Sequence, residues 1–193
     1  MLENLKKYRV VLASNSPRRR ELLEKLGVTF EVRVQKDIDE SYPNTLRGEE
    51  VPMFIAGKKA EAYKSNLAAD ELLITADTVV CLEGQVLGKP ADKKEAERML
   101  HSLSGRTHEV ITAVSITTHT VQRTFAVTSS VQFAQLEADE IDYYIETYRP
   151  YDKAGSYGIQ EWIGMIGVEA LRGSFFNVMG LPVQRLYREL KKM

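Results

Sequence analysis

The segment Ser14-Asn15-Ser16-Pro17-Arg18-Arg19-Arg20 sets three arginines where a short apolar run gives way to leucines at helical spacing. Ser16 suits a helix N-cap, and Pro17 suits the first helical position, where a missing N–H costs nothing. At about 100° per residue, Arg19 falls three, four and seven positions before Leu22, Leu23 and Leu26, so it continues their buried stripe. Arg18 and Arg20 fall on its two flanks. Cations in a first helical turn meet the positive end of the helix dipole, at a cost of ~0.3–1 kcal/mol each unless an anion offsets it. Backbone N–H groups at such a turn attract phosphate, and a guanidinium adds paired donors. Arg19 is therefore expected at an anion. Arg20, four positions before Glu24, is expected in a solvent-facing pair.

Other residue types extend that chemistry. Asp77, in ITADTVV, is expected at the end of an apolar strand, where a carboxylate can stand at the mouth of a cleft; the alternative is a turn-capping aspartate. Asp37-Ile38-Asp39-Glu40 clusters three carboxylates, which suits a hard divalent cation as well as a solvated loop. Lys89 in GKP and Lys153 in DKAG are lysines in loops held by glycine or proline. Together these types suit hydrolysis of a polyphosphate, which needs cations to neutralise its charge and a carboxylate to orient or deprotonate water. The chain has neither a G-x-x-x-x-G-K-[ST] loop nor a G-x-G-x-x-G fingerprint. His108, opening a predicted strand, and Cys81, inside another, read as structural rather than nucleophilic.

The elements that must position these residues alternate along the 193 residues. A strand is predicted over 10–13, a helix from Ser16 to Gly27, and a strand over 30–34 before the acidic loop. A helix follows over 48–66, with Val51, Phe54, Ile55 and Ala62 on its apolar face. Next come a strand hinged at Asp77 and a hairpin turning at Glu83-Gly84. Asp92 and Glu95 have capping-box spacing and open a helix whose face is Ala96, Met99, Leu100 and Leu103. Two β-branched runs over 107–134 meet near His119 as an antiparallel pair. A helix over 137–147, a polar loop over 149–160, two strands within 163–179 and a last helix after Gly180-Leu181-Pro182 complete the pattern. The order predicts an α/β fold with a mixed, mostly antiparallel sheet flanked by helices, as a single domain over 1–193 with room for two lobes and a cleft between them.

Composition bounds the partners. With 26 basic and 27 acidic residues and a net charge of −1, no broad electrostatic footprint for nucleic acid or an anionic membrane is evident, so any anion site is local. One cysteine excludes an internal disulfide, and His101, His108 and His119 lack zinc-ligand spacing. No run of ~18 apolar residues and no signal-like N-terminus occurs, so a cytoplasmic protein is expected.

SNSPRRRELL, DIDE, the lysine of AGKKA, ADTVV, LGKP, SGRTHEVITAV, DKAGSYGIQ and FFNVMGLP occur in this order from residue 9 to about 185. In that set the chain resembles the Maf family of nucleoside triphosphate pyrophosphatases. The resemblance implies a mixed α/β fold with an elongated sheet, related to house-cleaning inosine triphosphatases. It implies cleavage between the α- and β-phosphates, giving a nucleoside monophosphate and pyrophosphate, with a divalent cation, Mg²⁺ or Mn²⁺. The family's proton acceptor matches Asp77, the motif serine Ser14, the motif arginine Arg19, the acidic-loop glutamate Glu40, and the two lysines Lys59 and Lys89. Glu40 and Asp77 would hold the metal, and Lys153 would be a further substrate contact.

Arg18, Thr78 and Gln160 match the selectivity positions of the branch acting on dTTP and UTP. The branch acting on 7-methyl-GTP has a bulky aromatic, Gln and Glu there. A glutamine amide offers one donor and one acceptor to a pyrimidine's O4 and N3–H, and Arg18 and Thr78 would add donors to base carbonyls. Two departures stand out: Thr75-Ala76 precedes the aspartate where glycine is common, and QEWIGMIGV lacks the GxG and Phe-Val that often follow the glutamine. The expected partner is a small nucleotide, without membrane or nucleic acid, and with room for a homodimer. Through the family's association with septum formation, the alternative is a regulatory nucleotide-binding protein linked to cell division arrest without significant catalysis.

Overall fold

Leucine-rich and β-branched runs form the strands, and stretches with apolar residues three and four apart form the helices, in the computed structural model, which describes residues 2–193. In chain order the elements are β1 (Arg9–Leu12), α1 (Pro17–Lys25), β2 (Glu31–Val32), α2 (Glu50–Lys64), β3 (Glu71–Leu82), β4 (Gln85–Leu87) and α3 (Lys93–Leu103). Then follow β5 (Thr107–Thr117), β6 (Gln122–Phe133), α4 (Ala138–Tyr148), α5 (Trp162–Gly167), β7 (Val168–Arg172), α6 (Phe175–Met179) and α7 (Val183–Leu190). The sheet has the order β2-β1-β3-β5-β6-β7, with β4 paired to β3. β1 runs parallel to β2 and β3, and the β3–β4 and β6–β7 pairs are antiparallel. This is the mixed α/β class read from the element order.

The chain divides into two compact units. One comprises Met1–Asp77, Thr112–Val127 and Gly180–Met193; the other comprises Thr78–Ile111 and Thr128–Met179. In the first, residues 72–76 of β3 are fully buried, as expected of an interior strand that pairs in parallel with β1. Val11, Leu73, Ala60, Tyr63 and Leu67 form a core against which Ile38 of the acidic loop packs. In the second, α3 buries Ala96, Met99, Leu100 and Leu103, the face read from spacing. Asp92 caps that helix by accepting from the Glu95 N–H at 2.8 Å, while the Glu95 carboxylate reaches the N–H of Ala91, so the capping box closes one residue early.

Four expectations are corrected. β3 runs unbroken from Glu71 to Leu82, with no hinge at Asp77, because the residues on either side stay in a buried ladder. Only Glu31–Val32 of the 30–34 alternation is strand; it lies at the sheet's edge, where Val32 and Val34 stay exposed. Within 163–179 there is one strand, β7, between two short helices, α5 and α6. Phe54 is exposed and lies beside the Lys58 ammonium, while the buried face of α2 is Val51, Pro52, Ile55, Ala56, Ala60 and Tyr63.

Candidate active site

In the first unit the helix start forms as its residue types dictate. Ser16 caps α1 by accepting from the Arg19 N–H, and Pro17 opens it. Ser14, buried where β1 ends, accepts from the Ser16 N–H at 3.2 Å. The Arg19 side chain turns back under the turn: Nε donates to the Gly180 carbonyl at 2.9 Å, and Nη1 to the Ala76 carbonyl at 2.9 Å and to Ser14 Oγ at 3.4 Å. Burial pushes this guanidinium below its ordinary value, and the nearby charges of Asp77 and Glu40 pull it back up. Arg19 thus ties the end of β1, the residue before Asp77 and the turn before α7 to one planar cation.

Alternation along β3 puts Leu73, Thr75 and Asp77 on one face. The chemistry follows: Leu73 joins the core with Ala60 and Tyr63, Thr75 Oγ1 donates to the Ala56 carbonyl at 2.7 Å, and Asp77 meets Lys59. Lys59 follows Ala56 by three residues on α2, at the rim of its buried stripe. Its Nζ lies 2.9 Å from Asp77 Oδ1 and 3.0 Å from Glu40 Oε1. The acidic loop is held by consecutive lysines, because Lys58 Nζ pairs with Asp39 Oδ2 at 2.7 Å. That ammonium, with Ser41 donating from both its hydroxyl and its backbone N–H, holds the Asp39 carboxyl well below the usual carboxylate range. Ile38, just before Asp39, packs against the core and anchors the loop there. Of the three carboxylates of DIDE, only Glu40 shares Lys59 with Asp77, and no group of three or more Asp, Glu, His or Cys side chains among the described residues is arranged to hold a metal ion.

In the second unit, Thr78 is half-buried directly after Asp77 in β3. Lys89 is exposed in the loop after β4, and the Gly88 carbonyl beside it accepts from the Gly155 N–H at 3.0 Å. Gly155, at φ +66°, must be glycine for a second reason: a Cβ there would stand 2.7 Å from the Val80 side chain. Lys153 is buried, its Nζ spent on Asp152 at 2.8 Å and Glu161 at 3.2 Å. Gln160 sits in a turn with its Oε1 buried and without a hydrogen-bond partner. Arg18 is half-buried. Arg20 is not the solvent-facing partner of Glu24: it is half-buried, with Nε enclosed and unpaired, and no Arg20–Glu24 ion pair forms among the described residues.

His108 and Cys81 are structural, as their settings in strands implied. His108 Nε2 lies 2.7 Å from the Tyr157 hydroxyl, with Phe133 and Tyr157 edge-on to its ring, and burial lowers its pKa to about 4. Cys81 is buried in β3, and burial pushes its thiol up. Sequence reasoning missed Lys58, whose signal is its place beside Lys59, and the pair Tyr144 and Glu161. Those two are distant from one another in sequence and carry no local signature.

The chain belongs to the Maf family: the Maf-like protein family matches residues 9–193. Full-length relatives include the dTTP/UTP pyrophosphatase of Phocaeicola vulgatus, 60% identical over 193 residues and covering all of both chains. That of Parabacteroides distasonis is 63% identical over 191 residues, covering 99% of each chain. The fold is also similar to that of a HAM1 protein from Coxiella burnetii, with a TM-score of 0.53 at 15% identity, over 96% of this chain and 100% of that one.

Proposed function

We propose that this protein hydrolyses nucleoside triphosphates, dTTP and UTP foremost, to the monophosphate and pyrophosphate. The observation that carries the reading is the convergence of Asp77 and Glu40 on the single Lys59 ammonium at 2.9 and 3.0 Å. Relatives of 60% and 63% identity named for dTTP and UTP support the substrate class.

The two carboxylates direct hard oxygen donors at one point, a donor set that suits Mg²⁺ or Mn²⁺ once phosphate oxygens complete it. When bound, such a cation would neutralise charge on the triphosphate. Asp77, buried and held by Lys59, accepts the proton of the attacking water or orients that water toward the α-phosphorus. Arg19, committed to two carbonyls, fixes the strand at Ala76 so that Asp77 holds its place, and adds a permanent positive charge near the phosphates. Lys59 and Lys89 stabilise the charge that develops on the departing pyrophosphate. Ser14 shapes the turn that presents the α1 N–H groups, and Arg18, Thr78 and Gln160 meet the base. Gln160 supports this role through its unpaired buried oxygen, which an imide N–H would satisfy.

The test is to incubate the purified chain with a panel of nucleoside triphosphates and Mg²⁺ or Mn²⁺, and to measure pyrophosphate against orthophosphate. Pyrophosphate released fastest from dTTP and UTP is expected. Orthophosphate release, or nucleotide binding without turnover, contradicts the reading; the second result would favour a regulatory nucleotide binder.

A further inference from the structure

Gln160 is the third residue of a four-residue turn closed by the Glu161 N–H donating to the Gly158 carbonyl at 3.0 Å. Both ends of that turn meet on one phenol. The Gly158 N–H donates to the Tyr144 hydroxyl at 3.0 Å, and the same hydroxyl donates to Glu161 Oε2. The other carboxylate oxygen of Glu161 lies 3.2 Å from Lys153 Nζ. Tyr144 is fully buried on α4, and the Lys153 and Glu161 side chains are 9% and 19% exposed, so the three polar groups form a largely desolvated chain. In such a setting each hydrogen bond is strengthened and each loss leaves a buried group unpaired.

The far side of the turn is equally fixed. The Gly164 N–H donates to the Glu161 carbonyl at 2.9 Å, and a Cβ on Gly164 would stand 1.9 Å from the Ile159 oxygen. The first turn of α5 therefore packs directly on the backbone that precedes Gln160. A Cβ on Gly158 would stand 2.9 Å from the Glu161 carboxyl carbon and 3.1 Å from Gln160 Nε2. Amid this close packing, Gln160 Oε1 alone of the turn's buried side-chain atoms has no partner.

We infer that Tyr144, Glu161 and Lys153 are positioning residues that lock the 158–161 turn and so hold the Gln160 amide oxygen in one orientation as an acceptor for a base bearing an N–H at its 3-position. This rests on the proposed reading of Gln160 as a base contact, and it reassigns Lys153 from a substrate contact to a support behind one. Uracil and thymine carry that N–H; cytosine presents an acceptor there. A fixed acceptor rejects cytosine because two acceptors would face each other, whereas a loosened one can turn its amide and tolerate it.

The test uses the full chain with Tyr144→Phe and Glu161→Gln, each checked by thermal unfolding. The first measurement needs no turnover: the side-chain amide resonances of Gln160 in the nucleotide-free protein, assigned by their loss in Gln160→Ala. In the unsubstituted chain they should stand apart from those of exposed glutamines, and in both variants move to the exposed position. The second is the ratio of kcat/KM for UTP over CTP, which should fall at least about tenfold, through KM, with kcat changed less than about threefold. Gln160 resonances unmoved in both variants overturn the inference, as does an equal loss of kcat on UTP and CTP at an unchanged ratio. If the unsubstituted chain releases no pyrophosphate, the proposed function fails while the amide resonances still decide the positioning. If Tyr144→Phe does not fold, Glu161→Gln carries both measurements.

Discussion

Lys59 lies between Asp77 and Glu40, so substituting either end of that contact has separable consequences. Asp77→Asn keeps the shape of the side chain and leaves Lys59 its pair with Glu40. It should therefore fold with an unchanged unfolding midpoint and lose about 10²–10⁴ in kcat, the usual contribution of a positioned proton acceptor. Lys59→Met leaves two carboxylates facing each other without a cation. It should lower kcat/KM by about 10²–10³ and make the remaining activity more dependent on divalent metal, measured by titrating Mn²⁺. His108 supplies a stability prediction with a defined sign. Its folded pKa of about 4 lies below the ordinary histidine value of 6.5, so between those values the unfolded chain binds the proton and the folded chain does not. Its contribution is complete above pH 6.5 and is lost as pH falls toward 4, at up to about 1.4 kcal/mol per pH unit. Denaturant midpoints across that window should fall more steeply for the unsubstituted chain than for His108→Gln. At this scale the sequence was informative wherever a residue's role depends on near neighbours, as with Ser16, Pro17 and Asp92. It misplaced Arg20, whose Nε is enclosed and unpaired although its spacing to Glu24 suits a surface pair.

At the scale of elements, the hairpin after β3 was legible because its turn is local: Glu83 and Gly84 take φ of +50° and +81°, as a tight two-residue loop requires. Gly84 adopts this freely, and Glu83 does not, at a cost of about 1 kcal/mol that its exposed contact with Arg106 at 3.5 Å does little to offset. Glu83→Asn should raise stability by about 0.5–1 kcal/mol, read from urea unfolding, without altering turnover. The unbroken course of β3 was hidden because Asp77 and Thr78 interrupt an apolar run, and polar residues in a buried strand look like an end until their partner, here Lys59 on α2, is known. Region 163–179 was misread for a related reason. Its apolar residues are consistent with strand or helix, and the choice was made by Gly164, whose missing Cβ lets α5 begin directly against the Ile159 carbonyl.

For the whole molecule, the near balance of 26 basic and 27 acidic residues resolves into local pairings rather than a charged face. Arg33 and Arg9 share the buried carboxylate of Glu71 at 2.6 and 3.2 Å, the acidic loop is met by Lys58 and Lys59, and Lys153 is met by Glu161. No helix among the described residues is long and apolar enough to cross a membrane. The mixed class of the sheet could be read from element order, whereas the strand order β2-β1-β3-β5-β6-β7 could not, because it joins segments far apart in sequence through backbone hydrogen bonds that leave no local pattern. In the proposed reaction, water attacks the α-phosphorus of a pyrimidine triphosphate under the control of Asp77. Hydrolysis of dTTP or UTP in ¹⁸O-labelled water, followed by mass spectrometry of both products, tests this directly. One labelled oxygen in the nucleoside monophosphate and unlabelled pyrophosphate are expected; label in pyrophosphate, or release of labelled orthophosphate, would contradict attack at the α-phosphorus.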